Sequence, residues 1–230
     1  MARPDCHGRV AVVPAASALV VADLHVGRAT ASNAGMLLDE RRDLLDRLGA
    51  AMAATGPETV VFAGDLLHQF GAPSERSVET VRALAGAVRV GGRPVAVAGN
   101  HDGSLSEAWP APVHDSYRLD DDTVVCHGHE APDAVADRYV CGHLHPAIEV
   151  AGRKRDCFLY DAAGYRDRPT VVVPAFSTFA AGLRVERREA VDSPLVPALD
   201  SVCPGVVDDE AGETLWFPKL ADLRPRLRRR

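Results

Sequence analysis

A chain of 230 residues with 47% hydrophobic and 25% charged side chains has the make-up of a folded domain and not of a disordered one. No apolar run reaches the ~20 residues a membrane-spanning helix needs, and the opening residues, with Asp5, His7 and Arg9, lack the apolar stretch of a secretory signal, so a cytoplasmic protein is expected. A formal net charge of −6 excludes nucleic-acid binding through global electrostatics; any such contact must come from local basic patches or bound cations.

Along the chain, Arg9–Val13 and Ser17–Ala22 read as strands, short apolar runs ending in polar residues. Asp39–Ala54 reads as a helix with Leu44, Leu45, Leu48 and Met52 on one face. Thr59–Ala63 is the next strand. Ser74–Val88 is a second helix, with Ser74 as N-cap and Val78, Val81, Leu84, Ala85 and Val88 facing inward. Strands are expected at Pro94–Ala98, Thr123–Cys126, Arg138–Cys141 and Thr170–Pro174. The strand–helix–strand–helix–strand start implies a largely parallel sheet. The later strands, without a long helix between them, imply a second and more antiparallel sheet. Polar Gly152–Pro169 reads as a hairpin or insertion. Residues 1–190 are taken as the domain and 191–230 as a C-terminal extension whose basic end, Arg224–Arg230, is expected to be a mobile tail.

Seven of the nine histidines fall at or just beyond strand ends: His25, His68, His101, His127, His129, His143 and His145. Asp23, Asp65, Asn100 and Asp102 accompany them. Ligands of open α/β sheets gather where the carboxyl ends of strands meet. Asp23-Leu24-His25 follows the first motif strand, and in an extended segment both side chains point the same way and can share an ion. Gly64-Asp65, Gly99-Asn100-His101-Asp102, His127-Gly128-His129 and Gly142-His143-Leu144-His145 follow the next four. Each pattern alone is weak; five in order, each after a strand, point to a metal site rather than a metal-free polar network. Mixed carboxylate, imidazole and amide donors suit Mn, Fe or Zn better than calcium. The five cysteines, without the paired spacing of a structural zinc site, are expected to be reduced, with Cys126 and Cys141 buried.

These five motifs, from Asp23 to His145, resemble the signature of the calcineurin-like metallophosphoesterase superfamily. The resemblance implies an α/β four-layer αββα sandwich, two mixed sheets flanked by helices. It also implies two divalent metal ions, Mn first and Fe or Zn as alternatives. One would be held by Asp23, His25, Asp65 and His145, the other by Asp65, Asn100, His127 and His143, with Asp65 bridging. His127, directly before a glycine, is the ligand by that pattern, and His129 is its alternative. Gly64-Asp65-Leu66-Leu67-His68 resembles the repair-nuclease branch, in which such a histidine contacts the substrate phosphate. Val21–Arg28 and Val173–Ser177 resemble the ICC-like phosphoesterases, a group that includes ligase-associated DNA damage response endonucleases, and Arg28 fills a basic position there that can touch phosphate. The added DNA-binding and capping domains of the repair nucleases have little room in this chain, which speaks against processing of long duplex ends.

The implied reaction is phosphate-ester hydrolysis by a hydroxide bridging two metals, with nucleic-acid phosphodiesters as substrate, in the manner of a DNA-repair nuclease. His101 is the expected general acid, His68 a phosphate contact, and Asp102 an orienting or turn-capping group. The alternatives are a phosphomonoesterase or small-nucleotide phosphodiesterase with the same metal centre, and a non-catalytic scaffold on the same fold.

Overall fold

The computed structural model describes residues 3–28, 34–68, 71–209 and 211–227, the side chains of 34–39 excepted. Strands β1 (Asp5–His7), β2 (Val10–Val13) and β3 (Ala18–Val21) form an antiparallel ribbon. Helix α1 (Ala34–Thr55) leads to β4 (Thr59–Ala63), α2 (Glu75–Arg89) to β5 (Arg93–Val97), and the short α3 (Leu105–Ala108) to β6 (Val113–His114). From β3 to β6 neighbouring strands pair in parallel, as helical crossovers require, and complete a six-stranded sheet. Ser74 caps α2, its side chain accepting from the Ser77 N–H at 3.2 Å, and Glu75 and Arg89 complement the dipole at the two ends. Helix α1 begins five residues before the expected Asp39.

The second sheet contains β7 (Ser116–Arg118), β8 (Thr123–Cys126), β9 (Arg138–Cys141), β10 (Pro146–Val150), β11 (Arg153–Asp161), β12 (Thr170–Val172), β13 (Leu183–Arg184), β14 (Cys203–Asp208) and β15 (Glu213–Trp216). Its pairings are mixed: β8, β9 and β12 run parallel, whereas β10, β11, β14 and β15 are joined antiparallel. Gly152–Pro169 holds the return strand of the β10–β11 hairpin.

Burial follows the strand period of two. Leu19, Val21, Val60 and Phe62 face Leu44, Leu48, Val81 and Leu84 of the helices. Val20, Val61 and Ala63 face Val125, Val140, Phe158 and Val171 of the other sheet. Val124, Tyr139, Leu159 and Val172 face outward under Leu195, Leu199, Leu220 and Leu223. Helices, sheet, sheet and an outer cover thus make four layers. The outer cover is mostly irregular, with one eight-residue helix, α4 (Leu220–Leu227).

Residues beyond 190 are built into the second sheet, since β14 pairs with β11 from Cys203 to Val206. The basic end, expected to trail freely, is helical through Leu227. Its Leu220 and Leu223 are buried, and Arg224 is tied to Asp200 and to the carbonyls of Val185 and Arg188. Burial of Leu220 and Leu223, with Arg224 pinned on the same face, outweighs the mobility that the basic charge suggested; residues 228–230 lie outside the described residues. Near the other end of the chain, buried Arg9 pairs with Asp156 at 2.8 Å and Asp209 at 2.9 Å and donates to the Ala175 carbonyl, stitching the first strands to the last. No helix among the described residues is long and apolar enough to cross a membrane.

Candidate metal centre

Within their sheets β3, β4 and β5 run parallel, as do β8 and β9, and the loops that follow them meet at one edge of the sandwich. The meeting is close enough to require missing side chains. A Cβ on Gly64, at φ +83°, would overlap the His127 ring, and one on Gly99 would overlap the Asp65 carboxylate. Gly99→Ala is therefore expected to displace Asp65 and weaken metal binding by roughly 10–100-fold, the range seen for outer supports of a ligand. Metal titration of the folded variant checks this.

The backbone at the motifs differs from the extended geometry expected for Asp23 and His25. Asp23, His25, Asp65, His143 and His145 all have positive φ, between 43° and 70°. Asp and His are the side chains that, with Asn, tolerate this left-handed region best. Backbone bonds hold the arrangement: Asp23 N–H donates to the Gly64 carbonyl at 3.1 Å and His25 N–H to the Asp65 carbonyl at 2.8 Å. The Asp23 carboxylate accepts the His143 N–H at 3.0 Å, joining the first motif to the last.

Seven histidine rings gather into two groups. His25 lies 4.9 Å from His145, 5.3 Å from His101 and 5.4 Å from His68, ring centre to ring centre. His127 lies 5.0 Å from His143 and 5.2 Å from His129. Asp65 stands between the groups. Its Oδ2 is 3.8 Å from His25 Nε2 and 3.9 Å from His101 Nε2, and its Oδ1 is 3.5 Å from His127 Nε2. One atom from each of Asp23, His25, Asp65 and His145 lies within 4.8 Å of the others. In the other group Asn100 Oδ1 is 3.0 Å from His127 Nε2. His127 Nδ1 is 3.1 Å from the Ala63 carbonyl; a proton there makes Nδ1 the donor and leaves the Nε2 lone pair free to accept.

The electrostatics suit cations. Burial, with the Asp23 charge added, pushes the Asp65 carboxyl up. Burial works on Asp23 in the same sense, but the His145 hydrogen bond and the charges of His145, His127 and His25 hold that carboxyl below its ordinary range. Burial pushes His25 down to about 3 despite Asp23, whereas for His145 burial, the largest single effect, is outweighed by the Asp23 bond together with the charges of Asp23 and Asp65, and the ring is raised. His25 Nε2 and His145 Nε2 lie 3.0 Å apart, so without a cation one proton must sit between two lone pairs. Two buried carboxylates among clustered imidazole nitrogens form a donor set that fits divalent ions. Thiols take no part: Cys126 and Cys141 point into the outer core, and burial pushes Cys126 up to about 12 and raises Cys141 well above the ordinary thiol value.

Four further residues surround this set. His101 is 23% exposed, donates its N–H to Asp65 Oδ1 at 3.0 Å and stacks on His68 with ring centres 6.0 Å apart. Burial, and then the charges of Arg28 and His101, lower the His68 ring. The Asp102 carboxylate accepts from the N–H groups of Leu67 at 2.9 Å, Gly99 at 3.0 Å and Leu66 at 3.2 Å, so it joins the loop after β4 to the loop after β5. Burial raises it to about 6 against those three bonds.

Two buried groups escaped the sequence reading. Glu40 is 3% exposed and accepts the Gly27 N–H at 3.1 Å, fixing the turn that carries Arg28. Its signal was available, because Glu40 shares a helical face with Leu44 and Leu48, where an acid is out of register with the apolar pattern. Ser193 donates to the Gly128 carbonyl at 2.6 Å and supports the His127–His129 loop, with no local signal in the sequence.

A family model described as calcineurin-like phosphoesterase matches residues 16–169. Among solved structures, nuclease MPE of Pseudomonas putida superposes with a TM-score of 0.63 at 21% identity, covering 94% of this chain and 99% of that one. YfcE, a phosphoesterase from E. coli, gives a TM-score of 0.47 at 17% identity, covering 88% and 98%. No curated protein sequence matches significantly.

Proposed function

Because the chain belongs to the calcineurin-like phosphoesterase family, whose members hydrolyse phosphoesters with two divalent metal ions, we propose that it cleaves phosphodiester bonds in nucleic acid. The observation that carries this reading is Asp65, which turns one carboxylate oxygen toward each histidine group. Asp23, His25, Asp65 and His145 would hold one ion; Asp65, Asn100, His127 and His143 would hold the other. Manganese is the metal proposed from the mixed oxygen and nitrogen donors, with iron and zinc as competitors.

When bound, the two cations lower the pKa of water and neutralise charge on the phosphate. The protein's own groups do the rest. His127 is held in one tautomer by the Ala63 carbonyl. His101, beside Asp65 and open to solvent on one side, delivers a proton to the leaving oxygen. His68, stacked on His101, and Arg28 receive the phosphate. Asp102 holds the Leu66–Leu67 and Gly99 loops in register and so fixes the height of His101. Support for a nucleic-acid substrate comes from His68 three residues after Asp65, and one protein of this fold, the Pseudomonas putida MPE, is a nuclease. Five free cysteines support a reducing compartment, and we place the protein in the cytoplasm.

Metal uptake is expected to release protons. The His145 ring holds a proton more tightly than an ordinary histidine, and a cation needs its lone pair. Affinity therefore rises with pH until the raised His145 value is passed, then levels off. Calorimetry in two buffers of different ionisation enthalpy measures the proton count, and a pH-independent affinity from pH 6 to 8 contradicts the assignment.

The function itself is tested by a substrate panel on protein loaded with Mn, Fe or Zn. Bis(p-nitrophenyl) phosphate is expected to turn over faster than p-nitrophenyl phosphate, and single-stranded DNA or RNA to be cut. Turnover of the monoester alone replaces the nuclease reading with a phosphomonoesterase. Failure to bind any of the three metals leaves only the scaffold.

A further inference from the structure

The edge of the sandwich that carries the site is marked in the second sheet by the ends of β9 at Cys141 and β12 at Val172. Val172 pairs with Leu159 of β11, which runs the opposite way. β11 begins six residues earlier, at Arg153; Cys157 and Phe158 are still buried in the cores, so the part that stands clear is Arg153–Arg155, about 10 Å at ~3.3 Å per residue. Its partner β10 starts at Pro146, immediately after His145, and pairs with it through Arg153–Asp156. The two strands rise from the candidate metal site as an overhanging ribbon.

That ribbon is basic in an acidic protein. Arg153, Lys154 and Arg155 are exposed. β13 adds to the β10 side, with Arg184 opposite Ala147. Arg184 and Arg187 both reach Glu149, at 2.7 and 3.0 Å, so two guanidinium groups share one carboxylate. Residues 146–156 and 183–188 carry six cations against three acids, while the whole chain is at −6. One of the three acids, Asp156, is already paired with Arg9. From Arg187 the surface continues into a groove of about 820 Å³ lined by Arg187, Arg188 and Arg224 with Glu189 and Asp200. The ties of Arg224 to Asp200 and two carbonyls fix the helix that forms its wall.

We propose that this ribbon and groove form a track for the phosphate backbone of a nucleic-acid strand, leading it away from the His145 side of the site; the proposal rests on the nuclease reading above. A line of cations that begins with Arg184 beside Ala147, two residues after His145, and runs outward matches a polymer with a charge at every unit. A small nucleotide or a monoester reaches none of it. Phosphate contacts of this kind position a strand without reading its sequence.

The test uses the full chain loaded with Mn²⁺ and a 30-nucleotide single-stranded DNA. The variant is Arg153→Ala, Lys154→Ala, Arg155→Ala and Arg187→Ala combined. KM is expected to rise at least tenfold with kcat retained, and the slope of log affinity against log salt to fall by about 0.7 per lost phosphate contact. Metal content and melting temperature report whether the variant is intact. If it is not, the single reversals Lys154→Glu and Arg187→Glu are measured in its place, with the same rise in KM expected of each. KM and salt slope equal to wild type in an intact variant overturn the track while the nuclease reading stands. A wild type that turns over bis(p-nitrophenyl) phosphate but cuts no oligonucleotide overturns both.

Discussion

Asp65→Ala is expected to lose both cations and turnover together, with kcat/KM falling by more than about 10³-fold, which is ~4 kcal/mol of transition-state stabilisation. The size follows from position. One oxygen of Asp65 faces His25 and His101 and the other faces His127, so a single truncation opens both ion sites. The metal-free fold should not suffer in proportion. Burial and the neighbouring Asp23 make the Asp65 carboxylate costly to keep ionised, and removing it relieves that repulsion. The melting temperature without metal is therefore expected to stay within a few degrees of wild type. The gain on adding metal, worth ~2.7 kcal/mol at a hundredfold excess over Kd in wild type, should vanish. Elemental analysis finding two ions per chain in the variant would sink the bridging role.

His101→Ala is expected to do the reverse, keeping metal and losing ~10²–10⁴-fold in kcat. The contact that His101 makes with Asp65 Oδ1 comes from its backbone N–H, which alanine also has, so the carboxylate stays where it is. What goes is the imidazole beside it. The loss should depend on the leaving group: small for p-nitrophenolate, which departs without a proton, and large for an alkoxide. Equal losses on aryl and alkyl diesters would exclude proton delivery by His101 and leave it a positioning role.

Much of this molecule was legible from local pattern. Thr59–Ala63, Thr123–Cys126 and Arg138–Cys141 form strands with the expected ends because each is an apolar, β-branched run closed by a Gly or His. Strands such as Asp5–His7, Val113–His114 and Glu213–Trp216 carried no such run, since edge strands take their place from a partner's free hydrogen bonds rather than from their own hydrophobicity. The candidate donors could be named because only a few residue types bind metals and these follow successive strands. How they converge was not. The left-handed turns at Asp23, His25, His143 and His145 arise from backbone bonds to segments distant in sequence, and no spacing rule contains those partners. Arg9 was unreadable for the same reason: its acids, Asp156 and Asp209, stand far from it in sequence.

The bond from His143 N–H to Asp23 spans 120 positions and joins loops of opposite sheets. Such a closure forms late, after both sheets have collapsed against each other, because its loop entropy is lost before the bond returns anything. An ion that needs donors from both sides has nothing to grip in the folding transition state. Metal should therefore leave the folding rate untouched and act on the unfolding rate alone, as a latch that engages only once the structure is complete.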